Sequence, residues 1–325
     1  MAVRVGVVGC GYWGRNLVRV FHELGVLCAV CDVDVALATE FSAEYSVPSL
    51  EWMEIIEDSS IDAVAIATPA EVHSTQALQS LQAGKHVFVE KPLALHSYEA
   101  EEIIALANQG ERVLMVGHLL QYHPAFLALR DLTEAGKLGR LQYIYSNRLN
   151  FGKVRREENV FWSFAPHDIS MILSLTGEMP NSISAKGASY LHKVIADVTN
   201  TYLTFPSGVN AHIFVSWLHP FKEQKLIVVG SDGMAVFDDM KDWREKLQLY
   251  PHRIGWREGL PEPEKGVAEA VSIQQGEPLK IEAQHFVDCV SDGSTPRTNG
   301  AEALRVLKIL EETESILAEQ RLGGG

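Results

Sequence analysis

VRVGVVGCGYWG, residues 3–14, runs from a largely apolar segment, interrupted by Arg4 and Gly6, into a G-x-G-x-x-G pattern at Gly9, Gly11 and Gly14. A short, largely apolar run of this kind reads as a buried strand. The spacing that follows predicts a helix from about Gly14 to Leu24, with Leu17, Val18, Phe21 and Leu24 on one face and Gly25 at its end. Strand, glycine turn and helix in that order make a phosphate cradle. Gly9 permits the tight turn, Gly11 lets the backbone approach a pyrophosphate, and Gly14 allows close packing of helix on strand. The second strand, LCAVCDV (27–33), carries Asp32 near its end. A carboxylate about twenty residues past the glycines accepts a hydrogen bond from an adenosine ribose 2′-OH and repels a 2′-phosphate, which favours NAD(H) over NADP(H).

The alternation continues outward from that stretch. ALATEFSAEY (36–45) reads as a helix, AVAIAT (63–68) and HVFVE (86–90) as buried strands, residues 98–108 as a helix and VLMVGH (113–118) as a strand. Such alternation implies right-handed crossovers and a doubly wound parallel sheet, an α/β Rossmann domain over residues 1–120. Beyond 121 the strand-like segments follow one another, including LQYIYSNRLNF, VTNTYLTF and VNAHIFVSWL, with turn signals at PSG (206–208) and SDG (231–233). Residues 121–325 therefore read as an α+β domain on a largely antiparallel open sheet, whose last helix, about 300–320, packs back on the first domain. Helices are expected near 123–136, 167–176 and 281–292. On the sheet, Ile213, Val215 and Trp217 alternate and suggest an exposed apolar face, a surface for a homodimer or homotetramer.

Bulk properties narrow the partners. The chain has 325 residues, 46% hydrophobic and 22% charged, with net charge −14. An acidic chain of ordinary composition argues against nucleic-acid or membrane-surface binding, which needs a positive field. No apolar run approaches the length of a membrane helix, and the N-terminal run flows into a motif rather than a signal-peptide cleavage site. Cys28 and Cys31 spell C-x-x-C, but residues three apart on a strand point to opposite faces, and no second pair exists. The expectation is a reduced, cytoplasmic protein without a metal.

The mouths of later strands add Thr68-Pro69 and Glu90-Lys91-Pro92. Pro92 ends its strand because it has no N–H for the ladder. In open α/β sheets ligands lie outside the carboxyl ends of the strands, so Lys91 falls at the nicotinamide end of a dinucleotide. The expected cofactor set is Gly9, Gly11, Tyr12, Trp13, Asp32, Thr68, Pro69, His73, Glu90 and Lys91.

GCGYWG, ATP at 67–69, EKP at 90–92 and a later histidine in a strand-rich domain resemble the Gfo/Idh/MocA oxidoreductases, over nearly the whole chain. GHLLQYHP (117–124), residues 143–170 and SWLHPFKEQKLIVVGSDG (216–233) look more narrowly like nucleotide-sugar 3-dehydrogenases of the WlbA type. The resemblance implies NAD-dependent oxidation at C3 of UDP-N-acetylglucosamine or its uronic acid. It carries the catalytic roles to Lys91 and to His167 at the start of a helix, and it implies a cis Pro92. Many relatives place an aspartate four residues before that histidine; here the position is Ser163, so the dyad is absent.

Removing a hydroxyl proton while hydride departs needs a base and a cation near the developing alkoxide. An imidazole such as His167 suits the first role and the Lys91 ammonium the second. Lys153, Arg155 and Arg156 form a basic cluster in FGKVRREEN (151–159), suited to a diphosphate or sugar carboxylate, flanked by Asn150 and Asn159 as sugar contacts. Glu157 and Glu158 are placed to neutralise it. Three other readings stand beside this one: a glycosidase that oxidises C3 transiently, a myo-inositol or free-sugar dehydrogenase, and a silent NAD-binding regulator. Net NADH accumulation separates the first from a dehydrogenase, and any sugar-dependent reduction of NAD excludes the last.

Overall fold

The structure is a computed structural model that describes residues 3–323 except 153 and 157. It divides into two compact units, residues 1–122 with 277–307 and residues 123–276 with 308–325. The first unit begins with β1 (Val5–Val8), α1 (Gly14–Glu23), β2 (Leu27–Cys31), α2 (Val35–Tyr45) and α3 (Trp52–Glu57). It continues through β3 (Ala63–Ile66), α4 (Ala70–Gln82), β4 (His86–Glu90), α5 (Ser97–Gln109) and β5 (Leu114–Gly117). The strands form a five-stranded parallel sheet in the order β2-β1-β3-β4-β5. Val5, Val7, Leu17, Phe21, Val30, Phe88 and Met115 fill its core.

The second unit opens with α6 (Pro124–Glu134), β6 (Leu141–Leu149) and α7 (Val160–Thr176). Its remaining strands are β7 (Ser182–Ala188), β8 (Val198–Thr204), β9 (Asn210–Ser216), β10 (Glu223–Gly230), β11 (Gly233–Asp238), β12 (Leu247–Arg257), β13 (Leu260–Lys265) and β14 (Glu269–Ala270). They form a sheet in the order β13-β12-β11-β10-β6-β9-β8-β7, with β14 beside β12. Only β6 and β9 run parallel; the other neighbours are antiparallel. Two helices follow, α8 (Pro278–Asp292) and α9 (Gly300–Gly323).

Three expectations need correction. The stretch 121–325 is not one contiguous domain, because Glu277–Leu307 returns to the first unit. Its helix α8 buries Leu279, Ala283 and Phe286 in that unit's core, where the Phe286 ring meets Phe88 edge-on at 5.7 Å and Phe21 at 6.4 Å. Secondly, α7 starts at Val160 rather than 167. Asn159 caps it by accepting from the N–H groups of Phe161 and Trp162, and Pro166 sits inside the helix. Thirdly, Ile213, Val215 and Trp217 are fully buried, since α7 lies against β9, β6 and β8 on that face. The open face belongs to the intervening positions. Tyr202, His212 and Tyr145 form an aromatic row across β8, β9 and β6, with ring centroids 5.3 and 5.1 Å apart.

Candidate active site

The glycine loop after β1 is shaped for close approach. Gly9 has φ +88°, and a Cβ there would lie 2.7 Å from the Ala67 carbonyl oxygen. A Cβ on Gly14 would fall on the Gly9 carbonyl oxygen, whereas one on Gly11 would meet nothing within 4 Å. The loop is thus tight against the sheet at its ends and open above Gly11, the space a pyrophosphate needs. The Cys10 N–H donates to Asp32 Oδ2 at 2.6 Å and the Asp34 N–H to Asp32 Oδ1 at 2.9 Å, fixing the carboxylate at the mouth of β2. Each oxygen keeps a lone pair for a ribose hydroxyl. Asp34 itself caps α2, accepting from Ala36 and Leu37, so its carboxylate is committed to the helix.

The strand order sets Asp32 on one side of the glycine loop and the mouths of β3 and β4 on the other. An extended dinucleotide across that edge would put adenosine over β2 and nicotinamide over β3 and β4. At β3, Thr68 Oγ1 bonds Gln76 Oε1 at 2.6 Å, and Pro69 leads into α4. Tyr12 is almost fully exposed on the glycine loop, while the Trp13 indole N–H donates to Glu90 Oε1 and links that loop to the end of β4. Lys91 is half-buried at this mouth, and its peptide to Pro92 is cis. These groups fit a bound dinucleotide. His73, expected on the cofactor surface, instead lies behind it, 1% exposed.

Two carboxyl groups, the half-buried Glu90 and the buried Glu282, stand near the same strand end. Burial lifts Glu90 to about 7 against the pull of the Trp13 hydrogen bond and Lys91. Glu282, on α8, is pushed well above the carboxylate range by burial and by the charge of Glu90. Sequence reasoning missed Glu282, because nothing local marks a helix glutamate as a core residue. It also gave His118 no role. The β4–β5 register pairs Glu90 with Gly117, which sets His118 at the strand mouth next to Lys91, and its Nε2 lies 3.6 Å from Glu302. Burial and the Lys91 charge hold that imidazole below its ordinary pKa, against the opposing carboxylate.

In the second unit, His167 sits about two turns into α7, half-buried, with its Nδ1 inside the fold. The next residue anchors the helix. Arg148 of β6 grips Asp168 through two bonds, Nε to Oδ2 at 2.7 Å and Nη2 to Oδ1 at 3.0 Å, and Ser146 Oγ donates to Oδ1 at 2.6 Å. Burial opposes the Arg148 charge, but the Asp168 field overcomes it and raises the guanidinium pKa. Asp168 therefore turns to the sheet, away from a shared face with its neighbour. Asn159 is buried, with its oxygen on the α7 cap and its amide nitrogen on Glu314. An Asn before the apolar run V-F-W is the signal that would have marked it as a cap. Arg155 pairs with Glu158 at 3.0 Å, Arg156 is exposed, and Asn150 is half-buried with its backbone N–H on Ser216 O. Lys153 and Glu157 lie outside the described residues. Among the described residues, no group of three or more His, Cys, Asp and Glu is placed to hold a metal ion, and no helix is long and apolar enough to cross a membrane.

A dinucleotide cradle at the strand mouths of a doubly wound sheet, with a lysine beside it and a mixed-sheet second unit, defines an NAD-binding oxidoreductase. The chain belongs to the Gfo/Idh/MocA family. The model of its oxidoreductase NAD-binding Rossmann fold matches residues 3–118, and the model of the GFO/IDH/MocA C-terminal domain matches 126–236. The chain is 28% identical to the UDP-N-acetylglucosamine 3-dehydrogenase of Acidithiobacillus ferrooxidans over 94% of each chain. The solved structure of that enzyme superposes with a TM-score of 0.87, 27% identity and 98% coverage of both chains. The chain is also 24% identical to the scyllo-inositol 2-dehydrogenase (NAD(+)) of Bacillus subtilis, over 94% of this chain and 92% of that one.

Proposed function

We propose that the protein oxidises the C3 hydroxyl of a UDP-N-acetylhexosamine, or of its uronic acid, to the 3-keto sugar. The observation that carries this reading is the half-buried Lys91 beside an NAD cradle, in a chain that resembles a UDP-N-acetylglucosamine 3-dehydrogenase end to end. NAD, when bound, supplies the hydride acceptor. With Nδ1 of His167 inside the fold, Nε2 is the nitrogen that takes the hydroxyl proton. The Lys91 ammonium stabilises negative charge as it develops on the oxygen. Arg155, Arg156 and Lys153 supply donors for the diphosphate, where a bidentate guanidinium suits phosphate oxygens. Arg155 exchanges its Glu158 partner for that contact.

Two further features belong to this reading. The aromatic row of Tyr202, His212 and Tyr145 on the open sheet face supports a homodimer or homotetramer formed there. A cytoplasmic location suits the four free, buried cysteines, which stay reduced in that compartment.

A free-polyol dehydrogenase is the second reading, favoured by the likeness to the inositol enzyme. Titrating the NAD-loaded protein with UDP-sugars and free inositols, and following absorbance of reduced cofactor, separates the two. The proposal expects NADH only with UDP-N-acetylhexosamines or their uronic acids, and loss of that signal in Lys91→Ala and in His167→Ala while both still bind NADH. Reduction by inositol alone, or near-normal turnover in either variant, overturns it.

A further inference from the structure

We propose that His73 is a positioning residue that ties together the two loops holding the nicotinamide half of the cofactor. Its ring is buried, yet both nitrogens are engaged by backbone oxygens: Nδ1 lies 2.7 Å from Pro92 O and Nε2 2.8 Å from Thr68 O. Those oxygens belong to separate strand mouths. Thr68 follows β3 and opens the turn into α4, and Pro92 follows β4 and Lys91. His73 stands on α4, which packs against both strands, so one side chain spans the gap beneath the two loops. A carbonyl oxygen only accepts, so the neutral ring, with its single N–H, donates to one of the two oxygens at a time, and only the protonated ring, which burial disfavours, serves both together. No aliphatic or aromatic replacement can do this, and a buried carbonyl that loses its donor costs free energy.

The consequence is local. Asp32 and the glycine loop are held by other contacts, the Cys10 and Asp34 N–H groups and the close Gly9–Ala67 approach. Removing the tie loosens the Thr68 and Lys91–Pro92 segments while the adenosine side keeps its shape. Affinity for the whole dinucleotide should fall, and affinity for its ADP-ribose half should not. A merely structural histidine would lower both together, through loss of folded protein.

The test compares NADH, followed by its fluorescence, with ADP-ribose, followed by calorimetry, on wild type, His73→Phe and His73→Gln. Phenylalanine keeps a ring of similar size without donors, and glutamine keeps one amide donor. The expected result is NADH binding weakened at least tenfold in His73→Phe and less in His73→Gln, with ADP-ribose binding within twofold of wild type in both. ADP-ribose binding also reports that the unit is folded. NADH affinity unchanged in His73→Phe would overturn the proposal, and so would a parallel loss of both ligands in the milder glutamine variant.

Discussion

Replacing Arg148 with methionine removes the cation that faces Asp168 inside the second unit. The side chain of Asp168 is 1% exposed and that of Arg148 9%, so neither charge has water to fall back on. After the replacement Asp168 keeps only the 2.6 Å bond from Ser146 and loses both guanidinium contacts. Breaking a buried pair from one side costs about 3–5 kcal/mol, because the remaining charge stays desolvated. Asp168→Leu should cost a similar amount by stranding the guanidinium. The double variant should recover much of the loss, since two apolar side chains replace both charges, giving a coupling of at least about 2 kcal/mol. Arg148→Lys should fall between, as an ammonium cannot form the two parallel bonds. Urea unfolding followed by tryptophan fluorescence, with wild type and all four variants in one buffer, measures these differences. Single and double costs that simply add would refute the claim that this pair fixes the seat of α7. Because Asp168 adjoins His167, a released pair should also lower turnover in the single variants.

Other consequences follow from the first unit. Asp32→Ser removes the carboxylate that discriminates against a 2′-phosphate, so the ratio of NAD to NADP affinity should fall at least tenfold; an unchanged ratio would show that Asp32 does not face the ribose. Glu90 and Glu282 make stability depend on pH. Both carboxyl groups hold protons in the folded state that the unfolded chain releases near its ordinary 4.5. Their contribution is therefore fully present below that value and lost as pH rises through the folded value, about 7 for Glu90. For Glu90 alone the change is on the order of 3 kcal/mol. Glu282, whose two oxygens have no hydrogen-bond partner among the described residues, becomes neutral at every pH in Glu282→Gln. The urea midpoint of that variant should fall less between pH 5 and pH 8 than that of wild type, and an identical fall would contradict the assignment.

The parallel sheet and its glycine turn were legible because their signals are local. A buried strand, a G-x-G-x-x-G run and an acid at the next strand end lie within thirty-odd residues and need no partner to be recognised. The EKP stretch was legible for the same reason, as a strand stopped by proline. The failures share the opposite property. The apolar stripe of α8 could meet any core, and only the aromatic contacts of Phe286 with Phe21 and Phe88 decide that it meets the first unit's. On β9 the alternation showed that Ile213, Val215 and Trp217 share a face. It could not show which face α7 would cover, and a strand read one face out reverses every exposure. The helix expected near 167–176 was begun too late: proline removes a hydrogen bond from a helix interior, yet α7 runs through Pro166 from its cap at Asn159, with the Arg148–Asp168 pair holding it. His73 was legible as a residue of the cofactor region, but its place behind the loops rests on carbonyls nineteen and five positions away in the chain.

UDP-N-acetylglucosamine carrying deuterium at C3 tests the central claim most directly. After turnover with unlabelled NAD, mass spectrometry of the reduced cofactor should show one deuterium per NADH formed, and the rate should fall relative to the unlabelled sugar if hydride transfer limits it. Reduced cofactor that carries no label, with the deuterium retained on the sugar, would contradict oxidation at that carbon.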